Sequence, residues 1–146
     1  LIEATRVALS THEIEKRQAL RSAVLNSCLP DSPDTTLQNT FIRSIRDLTP
    51  LHLRILRWFQ KQGEMPMPSL GHNDVRTLLR CDFPDLDVNG EMVNVIFLDL
   101  NRNRFTQEPT FSGRPGGITD FGSLFLKFIT DSDDRKGDAD KPHALL

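Results

Sequence analysis

Apolar residues recur along much of the chain at the three- and four-residue spacing of an amphipathic helix, and polar or proline- and glycine-rich stretches separate these runs. Residues 2–9 read as a short helix or the end of a longer one. Ser10-Thr11-His12-Glu13 has capping-box spacing, with Ser10 as N-cap and Glu13 reaching back. It predicts a second helix from about Thr11 to Ser27, with Leu20, Ala23, Val24 and Ser27 along one side. Leu29-Pro30-Asp31-Ser32-Pro33 breaks the run. A helix from about Asp34 to Leu48 follows, carrying Leu37, Phe41, Ile45 and Leu48 on one face with Ile42 beside them. Thr49-Pro50 restarts the chain, because Thr is a good N-cap and the missing N–H of Pro has no partner in a first turn anyway. Leu51, Ile55, Trp58 and Phe59, widened by Leu53 and Leu56, make the new helix apolar on many sides. Such a helix belongs at the centre of a core, with Trp58 expected against the last helix near Phe125.

Gly63 ends this helix, and Met65-Pro66-Met67-Pro68 cannot be helical, since each Pro removes a donor and pushes its predecessor extended. A short helix from about Asn73 to Cys81 turns Val75, Leu78 and Leu79 inward before Phe83-Pro84 stops it. The β-branched run Val93–Leu100 suits a strand, but Val93, Ile96, Phe97 and Leu100 keep a helical stripe, and Asn101-Arg102-Asn103-Arg104 reads as a polar last turn. A helix over about 89–104 is therefore predicted. Phe105–Glu108 and Gly117-Ile118 are candidate short strands around the flexible tip Ser112-Gly113-Arg114-Pro115-Gly116-Gly117. Thr119 caps a last helix to about Thr130, with Phe121, Leu124, Phe125 and Phe128 on one face. Asp131 to Leu146 is polar and charged, and is expected to be a mobile tail. The expected fold is mainly α.

Over residues 49–130 the order is helix, short helix, long helix, hairpin, helix. Within it, Leu51-His52-Leu53-Arg54-Ile55-Leu56 resembles the first helix of bacterial winged-helix regulators. Phe97-Leu98-Asp99-Leu100-Asn101-Arg102-Asn103-Arg104-Phe105 resembles the end of the long second helix of their helix-turn-helix, running into the wing. Ile118-Thr119-Asp120-Phe121-Gly122 is similar to the Ile-Thr-x-x-Gly that leaves the wing. The resemblance implies a winged-helix domain with a small β-hairpin wing over 49–130, preceded by a helical extension over 1–48 and followed by the tail 131–146. In that family the long helix enters the major groove and the wing touches the backbone or minor groove. Carried over, the nucleic-acid-binding candidates are Asn94, Asn101 and Arg102 on the helix, Arg104 at its end and Arg114 in the wing tip. Glu91 and Asp99 depart from the pattern, since they put negative charge where phosphate would lie, and an exposed Leu98 suits a protein partner better than DNA.

Charge sharpens that tension. The chain has 146 residues and a formal net charge of −2. Residues 1–50 carry six basic and six acidic side chains and residues 51–130 nine of each, so the acidic tail supplies the imbalance. A domain without a basic excess is a poor nonspecific binder of nucleic acid. Hydrophobic residues make up 38% of the chain, which supports a packed core. No apolar run approaches the roughly 20 residues that span a bilayer, so no membrane partner is expected. The first residue is Leu1, which predicts a longer protein with sequence upstream.

The remaining candidates for chemistry read as structural. Cys28 and Cys81 lie far apart with no CxxC pairing, and are expected as buried, reduced thiols of a cytoplasmic protein. His12, His52, His72 and His143 are scattered and read as surface or capping histidines; no metal and no cofactor is expected. The glycine-rich tip lacks the Lys-Ser/Thr of a phosphate loop, and Asp82, Asp85 and Asp87 lack calcium-loop spacing. No Gly-x-Ser-x-Gly or local Ser, Cys and His set occurs, so a catalytic role is not expected. Two functions stay open: a DNA-binding regulatory module of a larger protein, with double-stranded DNA as partner, and a non-enzymatic protein-interaction or oligomerisation module that pairs with itself or with other domains.

Overall fold

The computed structural model describes residues 2–64, 75–107 and 117–130, with side chains described at 13–62, 76–107 and 117–130. Among these residues the chain forms six helices: α1 (Ile2–Ser27), α2 (Thr35–Asp47), α3 (Pro50–Glu64), α4 (Val75–Asp82), α5 (Glu91–Arg102) and α6 (Asp120–Ile129). The described chain divides into two compact units: residues up to Pro50 with those from Phe125 onward, and Leu51–Leu124.

In the first unit, residues 2–27 form one helix, with Ser10 inside it rather than at a cap. No Gly or Pro interrupts the stretch, and Ser, Thr and His cost only about half a kcal/mol each in a helix interior. The rotation of α1 also differs from the expectation. Its buried face is Ala19, Ser22, Ala23 and Asn26, while Leu20 and Val24 face solvent. The polar Asn26 decides this rotation: its Nδ2 donates to the carbonyls of Phe128 (2.8 Å) and Thr130 (2.9 Å) at the end of α6. Asp34 is the N-cap of α2, its carboxylate accepting from the Leu37 amide at 3.0 Å. Phe41 and Ile45 of α2 are fully buried, and the Phe41 ring lies 5.4 Å from Phe125 and 5.5 Å from Phe128.

In the second unit, α3 buries Leu53, Ile55, Leu56, Trp58 and Phe59. The Trp58 indole is edge-on to Phe59 and donates to the Asp82 carboxylate at 2.6 Å. Phe125, its expected neighbour, belongs to the first unit and packs on Phe41. Val93–Leu100 is helical, with Val93, Ile96 and Leu100 on the buried side of α5. Phe59 of α3 meets Phe97 of α5 edge-on at 5.9 Å.

The end of α5 is a Schellman motif. The Phe105 amide donates to the Leu100 carbonyl at 2.9 Å and the Arg104 amide to Asn101 at 2.8 Å, with Arg104 in the left-handed region at φ 61°. Thr119 then caps α6 as expected, its hydroxyl accepting from the Gly122 amide at 2.9 Å. The candidate strands reduce, among the described residues, to an isolated antiparallel bridge between Thr106 and Ile118. The Gln107 amide donates to Gly117 and the Thr119 amide to Phe105, both at 2.9 Å. Of the expected tip 112–117, residues 112–116 with Arg114 lie outside the described residues, as does the tail 131–146.

Cys28 and Cys81 are both free and exposed, not buried. Cys28 directly follows α1 and Cys81 is the penultimate residue of α4, each with its Sγ directed at the carbonyl four residues earlier, Val24 and Thr77 respectively.

Candidate interaction surface

The helix that carries most of the candidate residues is α5. Its buried stripe of Val93, Ile96 and Leu100 is set by hydrophobic periodicity, and that fixes what the opposite side presents. Glu91, Val95, Leu98 and Arg102 follow one another at intervals of four, three and four residues and form the outermost line. All four are exposed, Val95 at 53% and Leu98 at 49%, and Met92 beside them at 67%. The strip therefore has an acidic first residue, an apolar middle and a basic end. Among the described residues, neither the Glu91 carboxylate nor the Arg102 guanidinium forms an ion pair.

The polar candidates divide. Asn94 is exposed, but its side-chain oxygen accepts a hydrogen bond from the Arg76 guanidinium. Asn101 is partly covered, and its carbonyl takes part in the turn that closes α5. Arg102 and Arg104 are exposed at the C-terminal end of the helix, while Arg114 lies outside the described residues. Leu98 is exposed, as the interface reading requires.

Two residues that the sequence reading placed elsewhere, or passed over, organise the helix. His52, expected at the surface, is buried on α3, and its Nε2 lies 3.1 Å from the Asp99 carboxylate. Asp99 is thus held against α3 rather than left as a bare charge on the outer face. Its partner is 47 residues away, so no local spacing could reveal the pair. Arg76 of α4 donates to the Val88 carbonyl at 2.6 Å, bonds Asn94, and lies 5.7 Å over the Phe97 ring. It ties α4, the connecting loop and α5 together, again without a local motif.

Elsewhere in this unit a shallow cleft of about 320 Å³ is lined by Arg54, Asp82, Phe83, Pro84, Asp85 and Leu86. Asp82 in its wall is committed to the Trp58 indole. Among the described residues no three His, Cys, Asp or Glu side chains gather closely enough to hold a metal ion, and no helix is long and apolar enough to cross a membrane. No family model, curated protein or solved structure matches the chain.

Proposed function

We propose that the winged-helix arrangement read over residues 49–130, with the segment after α5 as its wing, is a protein-interaction module whose contact surface is the outer face of α5. One observation carries the reading: the outermost line of α5 holds Val95 and Leu98 between two charged ends, with Met92 alongside. Removing such apolar surface from water contributes roughly 25 cal/mol per Å². A protein helix with a matching apolar strip is the partner this face accepts. A helix that reads DNA presents its N-terminal residues to the base edges. Here that end carries Glu91, and the oxygen of Asn94 is already bonded to Arg76. Free thiols at Cys28 and Cys81 fit a reducing cytoplasmic compartment, which is part of the proposal, and no catalytic step is assigned.

DNA binding is the second reading, supported by exposed Arg102 in the last turn of α5 and exposed Arg104 just beyond it. With Arg114 they would meet phosphates, each contact adding about 0.9 to the slope of log affinity against log salt. Asn101→Ala would then cost about 1–3 kcal/mol on the specific site alone.

Titration of the chain against random duplex DNA at two salt concentrations separates the readings. The expected result is no retardation even at low salt, together with loss of protein association in Leu98→Asp at an unchanged melting temperature. Salt-dependent retardation that Arg102→Ala and Arg104→Ala weaken would overturn the interaction reading.

A further inference from the structure

We infer that the partner on the outer face of α5 is a second copy of the same chain, docked antiparallel about a twofold axis. The inference rests on the interaction reading above and names its occupant. The line Glu91, Val95, Leu98, Arg102 has spacings of four, three and four residues, which read the same in both directions. Reversing the helix places the Glu91 position opposite Arg102 and the Val95 position opposite Leu98. A twofold axis midway along α5, between Ile96 and Phe97, therefore sets each carboxylate against a guanidinium of the other copy and each apolar residue against an apolar one. An isologous interface requires this kind of self-complementarity.

A parallel pairing of the same faces sets Glu91 against its own copy and Arg102 against its own copy, which repels at both ends. Duplex DNA meets the carboxylate of Glu91 and gains nothing from Val95 or Leu98. The charges that favour the antiparallel pair have no ion-pair partner among the described residues. Asp99 does not disturb it, since its carboxylate is turned to His52. The contact spans the 12 residues of α5, about 18 Å of helix, which belongs with small, reversible interfaces.

The test uses two single variants of the full chain, each checked for unchanged helicity by circular dichroism. E91R presents two basic ends and R102E two acidic ends, so each repels its own kind but complements the other. Sedimentation across a concentration series is expected to show reversible dimers for the wild type. It should show dissociation constants weakened by about tenfold for either variant alone, because symmetry doubles the effect of every pair. An equimolar mixture of the two should return to within about threefold of the wild type. Leu98→Asp should abolish association in every combination.

A wild type that stays monomeric overturns the self-pairing, as does a mixture no stronger than its components. Association that survives Leu98→Asp overturns it too, because the contact then runs through another surface. A monomeric wild type or an unimproved mixture leaves the interaction reading standing, whereas association that survives Leu98→Asp, or salt-dependent retardation of duplex DNA, defeats that reading itself.

Discussion

Gly122 carries no side chain because none fits: a Cβ there would lie 2.3 Å from the Phe105 carbonyl oxygen and 2.8 Å from Ile118 Cγ1. The obstacle is backbone, which cannot swing aside as a side-chain tip does. Gly122→Ala is expected to destabilise the Leu51–Leu124 unit by about 2–3 kcal/mol, read as a lower urea midpoint at an unchanged m-value. A loss under about 0.5 kcal/mol would mean that the turn from Phe105 to α6 shifts freely. The motif Ile118-Thr119-Asp120-Phe121-Gly122 was legible at this scale because its parts are neighbours in sequence. Thr119 caps the turn that Gly122 lets approach Phe105, and the Phe105 and Phe121 rings stack at 5.6 Å. His52 was not legible: its burial depends on a carboxylate brought from a different helix.

At the scale of elements, α1 is held to α6 by a polar anchor. Asn26 of α1 is buried and donates to the carbonyls of Phe128 and Thr130, which α6 itself leaves without amide donors. Asn26→Ala removes that donor while leaving the acceptors in place, and should cost about 1–3 kcal/mol. Hydrogen exchange in α1 and in the last turn of α6 should rise together, and exchange in α1 alone would show that the contact does not couple them. The same anchor explains why the apolar side expected from Leu20 and Val24 faces outward. Periodicity counts apolar residues, and on a helix whose buried face is Ala, Ser and Asn it points the wrong way. Where large apolar residues supply the buried face, as Phe41 and Ile45 do in α2 and Leu48 does at its C-cap, periodicity and structure agree.

At the scale of the molecule, the first unit is discontinuous in sequence, since α1 and α2 share it with the chain from Phe125. Phe125 and Phe128 supply the rings packed on Phe41, and the end of α6 supplies the acceptors for Asn26. Truncation after Leu124 should therefore melt α1 and α2, read as lost helical circular dichroism and exposed dye-binding surface. Truncation after Asp131 keeps all of these groups and removes a segment that is nearly all polar or charged until its last residues. Its melting temperature should stay within about 4 °C of the intact chain, a shift worth roughly 1 kcal/mol for a domain this size. A larger drop would show that 132–146 packs against the rest.

Although it broke α1 at Ser10, where the chain runs on as one helix, the sequence by itself determined the helical class, most of the helix stops and much of the core. These follow from the chemistry of near neighbours: Pro and Gly end runs, Asp34 and Thr119 cap them, and spacings of three and four residues line up Phe41 with Ile45 and Ile96 with Leu100. It also placed Leu98 on the outside of α5. Tertiary structure alone decided which way α1 turns, which unit receives Phe125, and which polar groups on α5 remain available. Asp99 and Asn94 look equally free along the chain, yet one is held against His52 and the other bonded to Arg76. The physical reason is that a polar side chain takes whichever partner folding brings within about 3 Å, and that partner is usually remote in sequence.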